Sequence, residues 1–194
     1  MARQSFAVNE TPPASKLNAL ANQAVATCSS STRPANIDGS VISETDTGLL
    51  RVGNGTVWKS VPRGELGNST VLATGTGGNI FGTEIAVNGS AVTFTAVAGE
   101  IYVYEGNFTL SCATAGHVFT VWLNKDAAHI DMQRDVYISG VNILKPVPFR
   151  MRFTATAGSH TMSVTVFRGI GSTSGGAIPD GGDVTVSHIG GSAT

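Results

Sequence analysis

The chain has 194 residues, 41% hydrophobic and only 13% charged, with a formal net charge of −1 and a pI near 6.4. That hydrophobic share is enough for one main domain and a smaller appendage. The even charge balance lacks the clustered Lys and Arg that a phosphate backbone requires, so no nucleic-acid partner is expected.

No apolar run reaches the roughly 20 residues that cross a bilayer, so no membrane insertion is expected. The residues before Asn9-Glu10 hold one Arg and no apolar signal core, so secretion by a signal peptide is not expected either. Cys28 and Cys112 lie far apart in different segments. Such spacing suggests neither a metal motif nor a disulfide framework, and predicts two free thiols with Cys112 in a core strand. That usage fits folding in a host cytoplasm.

Residues 1–12 carry Phe6 and Val8 and lead into Pro12-Pro13, an extended arm ahead of a helix start. Over Ala14–Ala26 the residues Leu17, Leu20, Ala21, Ala24 and Val25 repeat at helical spacing, one apolar stripe on a short helix. A helix that short is marginal alone, so the stripe needs cover from another chain or from the hairpin that follows. Self-association or docking through Phe6, Leu17, Leu20 and Ala24 is the expectation, with folding back onto its own domain as the alternative. Thr27–Thr32 reads as a polar linker.

Residues 37–61 read as two short strands closed by a Gly53-Asn54-Gly55 turn and ended by an exposed Trp58. Asp38-Gly39 and the Gly53–Gly55 run are turn chemistry, with glycines supplying positive φ. Asp46 is expected as a turn residue bonded to its own backbone. Between Pro62 and Asn79 the composition is that of a flexible connector, which divides the chain into a region 1–69 and a head 70–194.

Beyond residue 80 nine strands are predicted: 84–87, 91–97, 101–111, 118–124, 129–132, 136–139, 148–155, 161–168 and 184–189. Period-two alternation is plain in Val92-Phe94-Ala96, in Phe149-Met151-Phe153-Ala155 and in Met162-Val164-Val166. Many short strands with glycine-bearing turns predict a mainly β sandwich or barrel. The Gly169–Gly182 run is long for a compact domain and is expected as a functional loop.

Two stretches carry family resemblances. Arg33-Pro34, then Glu44-Thr45-Asp46-Thr47, then Gly55-Thr56-Val57-Trp58, resembles the adaptor segment of tailed-phage structural proteins. Residues 80–190, with Ala98-Gly99-Glu100-Ile101-Tyr102 and a closing His188-Ile189-Gly190, are similar to the C1q/TNF-like jelly roll of phage fibres and minor tail proteins. That second resemblance implies an antiparallel jelly-roll sandwich and a homotrimer, with Tyr102 near the three-fold axis.

Chemistry is sparse. Four histidines (117, 129, 160 and 188) have no metal-ligand spacing; His129 and Asp131 are the one His/carboxylate pair that alternation puts on a strand face, and no metal or cofactor is expected. Elbow, zinc-protease and phosphate-loop motifs are missing, and nothing selects a carboxylate pair among the scattered acids, so no catalytic residue is expected. Trp122, in an apolar alternation, is expected in the core or a subunit interface with Trp58 and Tyr102. Tyr137, Ser172 and Ile178 are candidates for surface binding. The functional expectation is a non-enzymatic virion component: a trimeric minor tail protein or tail fibre contacting a host-surface glycan or protein. The alternative is a head fibre or capsid decoration protein docked on capsomers through its N-terminal segment.

Overall fold

A computed structural model describes residues 25–71, 84–112, 114–130, 134–170 and 177–193. The arm, most of the expected helix, and Phe6, Leu17, Leu20, Ala24, Asp131 and Ser172 lie outside these residues. The end of the expected helix is corrected: Ala26 begins a strand, and the described residues are mainly β with no helix. Ala26 to Cys28 finds open backbone groups along a neighbouring strand, and at Ala26 that pairing overrides the helical composition.

The chain forms two compact units, Met1–Val61 with Ser192–Thr194, and Pro62–Gly191. Their boundary falls at Val61/Pro62, ahead of the expected connector. The smaller unit contains β1 (Ala26–Cys28), β2 (Val41–Glu44), β3 (Leu50–Gly53) and β4 (Trp58–Ser60). β1 runs parallel to β2, while β2–β3 and β3–β4 are antiparallel. The expected two-stranded hairpin is therefore a meander, turning once over Thr45–Thr47 and again between Gly53 and Trp58. The stretch expected as a polar linker holds β1 and a turn in which Thr32 N–H donates to Ser29 O. Gly55 has the positive φ predicted for the turn, whereas Gly53 is needed for space: a Cβ there would lie 2.5 Å from Ile37 O and 3.3 Å from the Trp58 ring.

The larger unit contains β5 (Gly64–Thr70), β6 (Glu84–Ala86), β7 (Val92–Ala96), β8 (Glu100–Cys112), β9 (His117–Lys125), β10 (Ala128–His129), β11 (Arg134–Ile138), β12 (Lys145–Thr154), β13 (Gly158–Ile170), β14 (Ala177–Asp180) and β15 (Asp183–Ala193). One sheet runs β5–β15–β8–β12, with β14 also on β8. The other runs β10–β9–β13–β6, with β11 on β9 and β7 on β13. Pairing is nested: β5 with β15, β7 with β13, β8 with β12 and β9 with β11.

Each of the nine strands predicted beyond residue 80 overlaps an observed one, although of the expected 129–132 only His129 lies in a strand and 131–132 fall outside the described residues; two strands of this unit were missed. β5 occupies part of the expected flexible connector, and β14 lies inside the expected Gly169–Gly182 loop. Both lack apolar alternation. They are ordered by backbone pairing, β5 on β15 and β14 on β8 from Ala177↔Cys112 to Asp180↔Thr109.

The core collects the inward rows of both sheets, among them Tyr104, Phe108 and Leu110 of β8, Phe119, Val121 and Leu123 of β9, and Met162, Val164 and Val166 of β13. Burying each such side chain contributes on the order of 1.5–3 kcal/mol. Between β6 and β7 the ladder on β13 is completed by a side chain: Ser90 Oγ accepts Val164 N–H at 2.9 Å and donates to Val164 O at 3.3 Å. Tyr104 Oη donates to Ser90 O at 2.8 Å, so the buried hydroxyl is satisfied. Burial raises the Tyr104 pKa well above the ordinary phenol value.

Candidate docking and binding surfaces

In the smaller unit the residues of the adaptor-like motif bind one another. Glu44, buried at the end of β2, accepts Arg33 Nε at 2.5 Å, Arg51 Nε at 2.6 Å and Thr47 Oγ1 at 2.6 Å. Burial alone would raise this carboxyl. Hydrogen bonds from Arg33, Thr47 and Arg51, with the charge of Arg51, outweigh it and hold the group below its usual range. Asp46 accepts Ser30 N–H at 2.8 Å and Ser30 Oγ at 2.5 Å, which tie β1 to the turn. The Ser30 hydroxyl is the main reason its carboxyl also sits low, with smaller help from the amides of Asp46 and Thr47, so the expected local bonding is present but secondary.

Trp58 Nε1 donates to Pro34 O at 3.3 Å, and Gly55 N–H donates to Asn36 Oδ1 at 2.7 Å. Trp58 is 3% exposed. This corrects the expectation of an exposed tryptophan: alternation from Ser60 back to Trp58 points the ring to the Arg51 side of the sheet, where Pro34 and Gly53 receive it. The chemistry of the Arg-Pro, Glu-Thr-Asp-Thr and Gly-Thr-x-Trp pattern is internal architecture.

On the outer face of the second sheet, Trp122 is half-buried and stacks on His129, with ring centroids 4.5 Å apart and planes at 12°. His129 Nε2 lies 2.8 Å from Glu84 Oε1, Glu84 accepts the Thr165 hydroxyl, and Asn124 Nδ2 donates to Thr165 Oγ1 at 2.9 Å. This chain of contacts ties β6 to β9 and β10 across β13. His129 thus has a carboxylate partner that sequence spacing did not select, because Glu84 is 45 positions away.

A second exposed area lies at the Cys112 end of β8. Tyr137 is 58% exposed, and Val141, Ile143 and Leu144 stand out from the connection between β11 and β12. Asn142, at φ +54°, donates its N–H to Cys112 O at 2.7 Å, which anchors the connection to the end of β8. The chain enters this unit at Pro62 and leaves it at Gly191, near the opposite, Glu100 end of β8. Twelve residues of strand place these ends about 40 Å apart.

The other histidines are buried. His188 accepts Arg63 N–H at its Nδ1 (3.2 Å), so its Nε2 donates to Glu100 at 3.0 Å. His160 places Nδ1 2.6 Å from Asp126 and Nε2 3.0 Å from Thr156 O. His117 Nε2 meets Thr114 Oγ1, while its buried Nδ1 meets no partner among the described residues. Among the described residues no three His, Cys, Asp or Glu side chains gather as a metal set, and no helix is long and apolar enough to cross a membrane.

The structure brings few of the predicted site residues together. Trp58 is sealed in the smaller unit. Tyr102 is 2% exposed, its ring among Phe94, Phe153 and His188 and its hydroxyl accepting Val97 N–H at 2.8 Å. Its place at a subunit axis is therefore corrected to a place in the protomer core. Trp122 and Tyr137 share a sheet but stand at different strand positions, and Ile178 lies on β14 beside Ser111. Sequence reasoning missed Glu44 and Arg51. Their signal was an acid and an arginine each in phase with the inward residues Ile42 and Gly53.

No protein-family model matches the chain, and no curated protein matches it. Among solved structures it is similar to that of infectious bursal disease virus Gx strain, with TM-score 0.37 and 12% identity over 69% of this chain and 33% of that one. Dimeric latent PorU from Porphyromonas gingivalis gives TM-score 0.34 and 12% identity over 64% of this chain and 13% of that one. A family 35 carbohydrate binding module from Clostridium thermocellum gives TM-score 0.31 and 13% identity over 64% of this chain and 97% of that one.

Proposed function

We propose that this chain is a non-enzymatic structural protein of a tailed-phage virion, a trimeric minor tail protein or fibre whose smaller unit belongs to the docking end and whose sandwich meets the host surface. The observation that carries the reading is that the motif residues Arg33, Pro34, Glu44, Thr47, Gly53 and Trp58 build one module of their own, separate from the sandwich in chain organisation. The adaptor resemblance rests on those residues, so their joint use supports it.

The sandwich is read as a jelly roll. Support comes from the nested pairing of β5 with β15, β7 with β13, β8 with β12 and β9 with β11, which resembles a long hairpin rolled into two sheets. Three copies would present three equal surfaces, and a multivalent host glycan or protein would then be held with avidity above that of one site. The exposed Tyr137 end, far from both chain connections of this unit, is the surface offered to it.

Light scattering of the intact protein tests the oligomer: three copies are expected, and a concentration-independent monomer removes the trimer and its avidity mechanism.

A further inference from the structure

Exposed apolar side chains of the larger unit gather at one place. Of its five large hydrophobic residues exposed among the described residues, four, Tyr137, Val141, Ile143 and Leu144, fall within eight positions, and Ile189 stands apart on β15. No Lys, Arg, Asp or Glu occurs from Tyr137 to Leu144, nor from Ser111 to Gly116, the two stretches that meet at the Cys112 end of β8. Of the flanking charges, Asp135 accepts the Thr120 hydroxyl at 2.8 Å and Lys145 is half-buried.

The backbone holds these side chains out. Asn142 keeps a left-handed φ of +54°, which Asn tolerates better than most residues, and its N–H donates to Cys112 O at 2.7 Å. Gly116 N–H donates to Ile138 O at 2.9 Å, and Ile143 lies over Gly140, where a Cβ would collide with its Cδ1. The turn is pinned at its base by bonds made inside the protomer, with its aliphatic side chains outside. An apolar medium asks for that combination, because an unpaired amide finds no partner there.

Three kinds of partner make different demands. A glycan needs several convergent hydrogen-bonding side chains, and this tip offers the Tyr137 hydroxyl and the Asn142 amide. A protein partner draws its affinity mainly from Trp, Tyr and Arg, with Leu and Val under-represented, and is steered by charge. A bilayer interface takes aliphatic side chains into its acyl region and tyrosine at headgroup level, and an uncharged tip matches a lipid surface without net charge.

We propose that the Tyr137–Leu144 tip enters the interface of an uncharged lipid surface, with Val141, Ile143 and Leu144 among the acyl chains and Tyr137 level with the headgroups. Shallow entry of this kind needs no spanning segment. It adds a lipid contact to the proposed host-facing end and is measured on the isolated protein, so it and the virion reading fail separately.

Flotation of the full chain with phosphatidylcholine vesicles tests it. Binding is expected at low and high salt alike, and Val141→Asp with Leu144→Asp should weaken it about tenfold while the melting temperature holds. Absence of flotation overturns the proposal and leaves the tip to an apolar pocket on a protein. Flotation that the double variant keeps, or that needs anionic lipid and is lost in salt, overturns it as well. A second readout covers a variant that misfolds. A polarity-sensitive dye on Leu144→Cys, in a Cys28→Ser chain whose remaining Cys112 is buried, should shift to the blue when vesicles are added, and the same dye on Ile189→Cys should not. Equal shifts at both positions, or none at position 144, overturn the proposal. So does a dye at position 144 that is shielded without vesicles as protein concentration rises, which would place a second copy there.

Discussion

Arg51 Nε meets Glu44 Oε1 at 2.6 Å across two neighbouring strands, with both side chains almost fully buried. The same oxygen takes Arg33 Nε at 2.5 Å, so one carboxylate joins both strands to the segment that precedes them. Removing one partner of a buried ion pair costs about 3–5 kcal/mol, because the remaining charges lose the group that offset their desolvation. Glu44→Ala should therefore unfold the smaller unit, seen as a red shift of Trp58 emission, while β-sheet circular dichroism from the sandwich persists. Unchanged Trp58 emission would show that the hub contributes little.

The same carboxyl sets an acid limit. Its folded pKa lies below the ordinary 4.5, so its stabilisation is fully present above that value and is lost as pH falls through the lower folded value. Asp46 shifts the same way. A pH titration of Trp58 emission should show the smaller unit loosening as pH falls below the ordinary 4.5 and through the lower folded value, and Glu44→Gln should flatten that dependence.

Asp126 and Ala127 sit at φ +53° and +65° in the two-residue turn between β9 and β10. Both central residues of such a turn need positive φ, and an alanine there costs about 1–2 kcal/mol. Ala127→Gly should raise thermal stability by on the order of 1 kcal/mol, or about 2–4 °C. A lowered melting temperature would mean that the alanine methyl makes contacts worth more than the strain.

Ser90 fills a gap in the β13 ladder with its hydroxyl. Ser90→Ala leaves the buried Val164 N–H without that acceptor and should cost roughly 1–3 kcal/mol. Ser90→Thr, which keeps the hydroxyl, should cost less if the bond rather than the volume matters. Chemical denaturation of the two variants separates these contributions.

Where alternation was strong, the fold was legible. Phe94, Phe149 and Val164 lie in strands whose inward rows make the core, and all three strands were predicted. β5, with Gly-Glu-Leu-Gly-Asn-Ser-Thr, has no apolar phase, and its order comes from the length of β15 beside it. Trp58, expected to be exposed at a hairpin end, and Tyr102, put near a three-fold axis by resemblance, both misled, whereas here Pro34 O and Val97 N–H satisfy their polar ends inside the protomer. Glu44 was legible only as part of a resemblance. The physical reason for its place, two arginines converging on one oxygen, depends on folding of the Arg33 segment.

The most direct test of a virion role is antibody labelling of gradient-purified particles viewed by electron microscopy, with the chain counted by quantitative mass spectrometry. The account predicts labelling at the tail, in a copy number divisible by three, with the sandwich outermost. Particles that infect normally and contain none of this chain would contradict it.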